Sequence, residues 1–194
     1  MARIIPTDDT PGAQEAGCID FLENYLSGID FILAKPDGSG FEVLEGKSAG
    51  AWLRRVQLMR ARYIDGVRDL DRRAHAAHGA QFVALSTEQQ DGVLSDVSAS
   101  ASGDVAISPT SAEPALQQTL TEVELPFFPL LVTHTRQGFY SDPIYGGNRN
   151  QAGWKMIGFP GPASLKEVYT GRYTTLQYFA EGEAEKVREF HDGL

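Results

Sequence analysis

His75 and His78 stand three residues apart in a stretch of helical spacing, one turn from each other, where two imidazoles can touch one metal ion. No carboxylate completes a site within that turn, and the pair is expected to be solvated at a fraying helix end. His134 lies in an apolar run, where a hydrogen-bonded core histidine is expected ahead of a general base. The lone cysteine, Cys18, excludes an internal disulfide framework and a thiolate cluster; on the apolar side of a helical pattern it is expected to be a small buried hydrophobe. No serine sits in a nucleophile elbow, and no glycine loop follows a strand with phosphate-binding spacing. Seven arginines between Arg54 and Arg73 form a basic run, but Asp65, Asp69 and Asp71 are interleaved at distances that allow pairing on one helix. No catalytic, cofactor-binding or metal-binding residue is therefore assigned to this chain.

The balance of charge narrows the partners. A formal net charge of −9 at pH 7 argues against nucleic acid and against an acidic membrane surface, both of which need a surplus of Lys and Arg. No run approaches the roughly 20 apolar residues of a membrane helix, so direct insertion is not expected. At 194 residues the chain falls in the size range of one domain with a real core.

The elements that must position any site read as mainly α: a compact, irregular helical domain over residues 1–194 with long loops. Pro6, Pro11 and Gly12 make an extended strap, followed by a helix near Ala13 to Leu26 with Ile19, Leu22 and Leu26 inward. Five glycines between Gly28 and Gly50 predict a loop or short hairpin. Ser48 is the expected N-cap of the clearest helix, whose stripe is Trp52, Val56, Met59, Tyr63, Val67, Leu70, Ala74 and Ala77, closed by Gly79. Ser86 and Gln89 form a capping box ahead of Val93, Leu94 and Val97. Residues 98–114 collapse to small and polar types and predict a mobile loop. Leu125 to Tyr140 predicts a buried helix, and residues 163–194 a C-terminal extension with one more helix from Glu183 to Phe190.

Residues 138–161 combine six glycines with five aromatic rings, Phe139, Tyr140, Tyr145, Trp154 and Phe159. A flexible linker would not carry those rings, and a regular helix or strand would not tolerate so many glycines. The chain must take a fixed, irregular path here.

Two blocks, Arg3 to Gly17 and Gln137 to Asn150 with Gly153 to Gly161, resemble the gluconate 2-dehydrogenase subunit 3 family, small subunits that accompany large flavin-dependent dehydrogenases of the glucose-methanol-choline oxidoreductase type. The resemblance implies an all-helical, non-catalytic subunit. Its partner would be a large subunit that holds FAD, oxidises sugars, sugar acids or polyols, and passes electrons to a cytochrome or another acceptor. The small subunit would bind and stabilise that partner, with a role in its maturation or export. Family members often carry a twin-arginine signal, and this N-terminus departs from that pattern. The complex is expected in the cytoplasm if Met1 is the native start, and in the periplasm if a signal segment precedes it.

Interface hot spots favour Trp, Tyr and Arg, so the partner-binding residues are expected in the glycine and aromatic segment: Phe139, Tyr140, Asp142, Tyr145, Gly146, Gly147, Asn148, Arg149 and Trp154. In the competing reading Tyr145 and Trp154 fill the chain's own core, while Arg149, between two asparagines, still faces outward. Two other functions stand as alternatives. One is a free-standing helical module with a small ligand between the Trp52 to Ala77 and Leu125 to Tyr140 helices. The other is a self-sufficient enzyme using His134 or the Asp142 region.

Overall fold

The computed structural model describes residues 1–101, 122, 124–159, 161–162 and 165–172. Among these it is helical, without strands: α1 is Cys18–Ser27, α2 Gly46–His78, α3 Thr87–Ala101, α4 Phe127–Tyr140, α5 Ala152–Met156 and α6 Leu165–Tyr169. One isolated antiparallel bridge, Ala34 to Phe41, pins the loop between α1 and α2. No helix among the described residues is long and apolar enough to cross a membrane.

The 33-residue α2 is about 50 Å long and forms the backbone of the domain. It ends where Gly79 turns left-handed (φ 72°) and its N–H bonds the His75 carbonyl, the Gly-terminated ending expected. Its start differs from expectation: the helix begins at Gly46, after an extended Glu45, with no side-chain cap, so Ser48 lies inside it. The buried face is Val56, Met59, Tyr63, Gly66, Leu70 and Ala74. Val67 is 51% exposed. The stripe steps to Gly66 because Phe127 of α4 packs flat against it, and a β-carbon there would collide with that ring.

The same kind of close approach sets the face of α1. Cys18, Phe21 and Leu22 are buried, whereas Ile19 is 60% exposed, which corrects the expected inner face. A β-carbon at Gly138 of α4 would stand 3.1 Å from the Cys18 Cα and 3.2 Å from the Phe21 Cβ, so α1 is rotated to lay those residues on the glycine. The first helix also starts later than expected, at Cys18, after turns that hydrogen-bond Ala13 to Ile5 and Cys18 to Ala13. Arg3 ties the strap to α3 through two bonds to Asp91, of 2.7 and 2.5 Å.

The capping box of α3 forms in both directions: the Ser86 N–H donates to Gln89 Oε1 at 3.0 Å, and the Gln89 N–H to Ser86 Oγ at 3.3 Å. The helix runs on through Ser98 to Ala101, where a loop was expected, because Ala and Ser are adequate helix formers on an exposed face. The rest of the expected loop, 102–114, and the helix expected over 183–190 lie outside the described residues.

Three apolar clusters meet on α4. Leu70, Ala74, Val93, Leu94 and Val97 join α2 to α3, with Phe127 and Phe128 against them. Leu22, Met59, Tyr63, Leu130 and Leu131 join α1, α2 and α4. Ala13, Ala16, Cys18, Phe139 and Ala152 join the strap, α1 and α5 to the end of α4.

Most of the basic run on α2 is neutralised within the chain. Arg68 pairs with Asp65, and Arg72 and Arg73 pair with Asp69, as the spacing allows. Asp71 instead accepts the Phe82 N–H at 3.0 Å. Arg60 and Arg62 donate to backbone carbonyls of Leu26, Ser27 and Leu125, and Arg55 pairs with Glu122.

Candidate functional site

The glycine and aromatic segment folds back on the C-terminal end of α4. Asp142 Oδ1 accepts the Ile144 N–H at 2.9 Å and opens a 3₁₀ turn, Pro143–Tyr145, that Gly146 closes at φ 98°. The next residues run so near α4 that a β-carbon at Gly147 would collide with the Gly138 carbonyl, and one at Gly153 with the Phe139 carbonyl. Backbone against backbone at that distance requires glycine.

Asn148 is the pivot. It is fully buried and left-handed (φ 47°, ψ 39°). Its N–H donates to the Gly138 carbonyl at 2.7 Å, Nδ2 to the Ser141 carbonyl at 2.9 Å, and Oδ1 accepts the Gly153 N–H at 2.9 Å. One side chain thereby joins the end of α4 to the start of α5. Asn150 and Gln151 also have positive φ, 57° each, so the path is held by its surroundings. Trp154 is buried and donates from Nε1 to the Tyr140 carbonyl at 2.8 Å, with Phe159 edge-on at 5.3 Å.

The nine residues assigned to partner contact therefore fall into two groups. Phe139, Gly147, Asn148 and Trp154 are buried in the chain's own core, while Tyr140, Asp142, Tyr145 and Gly146 are half-buried and Arg149 is exposed. Arg149 lies at the surface, but its guanidinium pairs with Asp20 of α1, and its N–H bonds the Ala16 carbonyl at 2.9 Å.

Tyr140 and Tyr145 also rim a cavity of about 560 Å³. Phe21 and Tyr25 of α1 line one side, Phe31 and Ile32 of the following loop a second, Trp52 of α2 a third, and Arg136, Gln137 and Ser141 the side of α4. Phe21 and Tyr25 stand one turn apart with rings parallel to within 2°. Phe41 braces the mouth, edge-on to Phe31 at 5.3 Å and to Tyr145 at 5.7 Å.

Behind the aromatic wall lies a polar network. Arg55 donates from Nε to the Tyr25 hydroxyl at 3.0 Å, pairs with Glu122, and sits 5.2 Å from the Trp52 ring. Gln137 Nε2 donates to the other Glu122 oxygen at 2.7 Å. Burial pushes the Tyr25 hydroxyl pKa up, against the pull of Arg55. Deeper still, His134 is fully buried, shares a 2.9 Å hydrogen bond between Nδ1 and the Tyr63 hydroxyl, and packs against Tyr25 at 5.1 Å. Burial lowers its pKa to about 4, with Glu122 opposing the shift, so it is neutral near pH 7. This is the core histidine expected from the sequence. His75 and His78 are exposed at the end of α2. No cluster of three or more His, Cys, Asp or Glu able to hold a metal occurs among the described residues. Cys18 is buried, and burial raises its thiol pKa to about 11, which leaves it protonated and unreactive.

The sequence pointed to a gap between the Trp52 to Ala77 and Leu125 to Tyr140 helices but not to the cavity's full lining. Its walls come from residues up to 124 positions apart, Phe21 to Tyr145, and the one local signal was the pair of rings at 21 and 25 at helical spacing.

Searches of curated proteins and of solved structures each return no match. A family model described as Gluconate 2-dehydrogenase subunit 3 matches residues 1–161 and thus spans the strap, α1 to α5 and the whole glycine and aromatic segment. The chain belongs to the gluconate 2-dehydrogenase subunit 3 family.

Proposed function

We propose that this chain is the non-catalytic small subunit of a dehydrogenase complex, binding and stabilising a large FAD-dependent subunit of the glucose-methanol-choline type that oxidises sugars, sugar acids or polyols. Family membership over residues 1–161 carries this reading. FAD is assigned to the partner because this sequence has no glycine-rich loop between a strand and a helix to cradle a pyrophosphate. Onward electron transfer to a cytochrome or another acceptor likewise belongs to the assembled complex.

The docking face is assigned to the outward part of the glycine and aromatic segment, Tyr140, Asp142, Tyr145, Gly146 and Arg149. The buried residues Phe139, Gly147, Asn148 and Trp154 hold that face in shape. A rigid loop loses little entropy on binding, which favours its use as a contact surface.

Co-expression of the full chain with large flavoprotein dehydrogenases of the same genome tests the reading. A stoichiometric complex on size exclusion, with flavin absorbance following the large subunit, is expected. Elution of the chain alone beside every such flavoprotein, or flavin in the chain purified alone, would overturn it.

A further inference from the structure

The cavity rimmed by Tyr140 and Tyr145 has the form of a small-molecule site. Its volume, about 560 Å³, lies within the roughly 300–1,000 Å³ usual for such sites, and it opens between helices, a common place for them. Rings stand on several sides, Phe21 and Tyr25 from α1, Trp52 from α2 and the two tyrosines, so a flat molecule meets ring faces or edges wherever it lies.

Among the described residues, Arg136 is the one charged residue on the lining. No carboxylate pairs with it among the described residues. The nearby Glu122 is already engaged by Arg55 and Gln137, which leaves the Arg136 guanidinium on the lining. We infer that this cavity binds a bicyclic aromatic carboxylate, its rings between the aromatic walls and its carboxylate on Arg136. The assignment stands on the cavity alone and is independent of the accessory-subunit reading.

Titration calorimetry of the full chain with 2-naphthoate and with its neutral isostere 2-naphthamide tests it. The carboxylate is expected to bind with a Kd of about 0.1–1 mM, a value set by the small number of atoms it buries. The amide is expected to bind about tenfold more weakly, since Arg136 is exposed and its charge partly screened. Arg136→Gln should bring the carboxylate down to the level of the amide and leave the amide unchanged. Ile32→Trp, which places an indole in the cavity, should weaken both, with circular dichroism confirming that each variant is folded. Equal affinity for the two compounds, no saturable heat from either, or binding indifferent to both substitutions would overturn the proposal.

Discussion

Replacing Asn148 by Ala removes a side chain that satisfies two buried backbone groups at once. The Ser141 carbonyl loses the 2.9 Å bond from Nδ2, and the Gly153 N–H loses the 2.9 Å bond to Oδ1. Each orphaned group costs about 1–3 kcal/mol where water cannot enter, and Asn148 is fully buried. The left-handed backbone (φ 47°) adds about 1 kcal/mol for Ala, which lacks the local bonding that lets Asn tolerate it. The expected loss is about 3–7 kcal/mol, a large part of the roughly 5–15 kcal/mol typical of a domain. Asn148→Gly should be milder by up to about 1 kcal/mol, since relief of the left-handed strain is partly offset by the greater unfolded-state entropy of Gly. Asn148→Asp keeps the acceptor for Gly153 but sets a carboxylate against the Ser141 carbonyl, so it should resemble Ala. Urea unfolding followed by circular dichroism, with the slope held common, measures all three. An Ala variant within about 1 kcal/mol of wild type would refute the pivot role, and an Ala variant no worse than Gly would refute the strain component.

Four further outcomes follow from the geometry. Gly147→Ala places a β-carbon against the Gly138 carbonyl, a backbone atom that cannot swing aside, and should cost more than about 3 kcal/mol in the same unfolding assay. His134 has a folded pKa of about 4 against the ordinary 6.5, so between those values the unfolded chain binds a proton that the folded chain refuses. Its contribution is fully present above about pH 6.5 and falls by about 3 kcal/mol as the pH drops to 4; His134→Gln should flatten that part of the stability curve. Arg149→Ala breaks an exposed ion pair with Asp20 and should change stability by less than about 1 kcal/mol while weakening binding to the large subunit about thirtyfold. Trp154→Ala should lower both, and a titration in which Arg149→Ala binds as tightly as wild type would remove that residue from the docking face.

How far the sequence led depended on how local each determinant was. The stripe of α2 was legible because helical period alone places Val56, Met59, Tyr63, Leu70 and Ala74 on one face. The substitution of Gly66 for Val67 on that face was not, because it depends on Phe127, about 60 residues away in sequence. Ile19 was misplaced for the same reason: the rotation of α1 is set by Gly138 on another helix. The segment around Gly146 announced a fixed path through its mixture of glycines and rings. That Asn148 would be its pivot had no sequence signal beyond the tolerance of Asn for left-handed backbone. The cavity was illegible as a whole, although the alternative of a ligand between the α2 and α4 helices pointed to the gap where Trp52 and Arg136 line it.

The most direct test of the accessory role is the thermal unfolding of the large flavoprotein subunit, read by flavin release, with and without the full chain at saturating concentration. Binding at 100 times the Kd should stabilise the flavoprotein by about 2.7 kcal/mol and raise its unfolding temperature, with the chain alone showing neither flavin nor sugar oxidation. An unfolding temperature that does not move on addition of the chain, or turnover by the chain alone, would contradict the account.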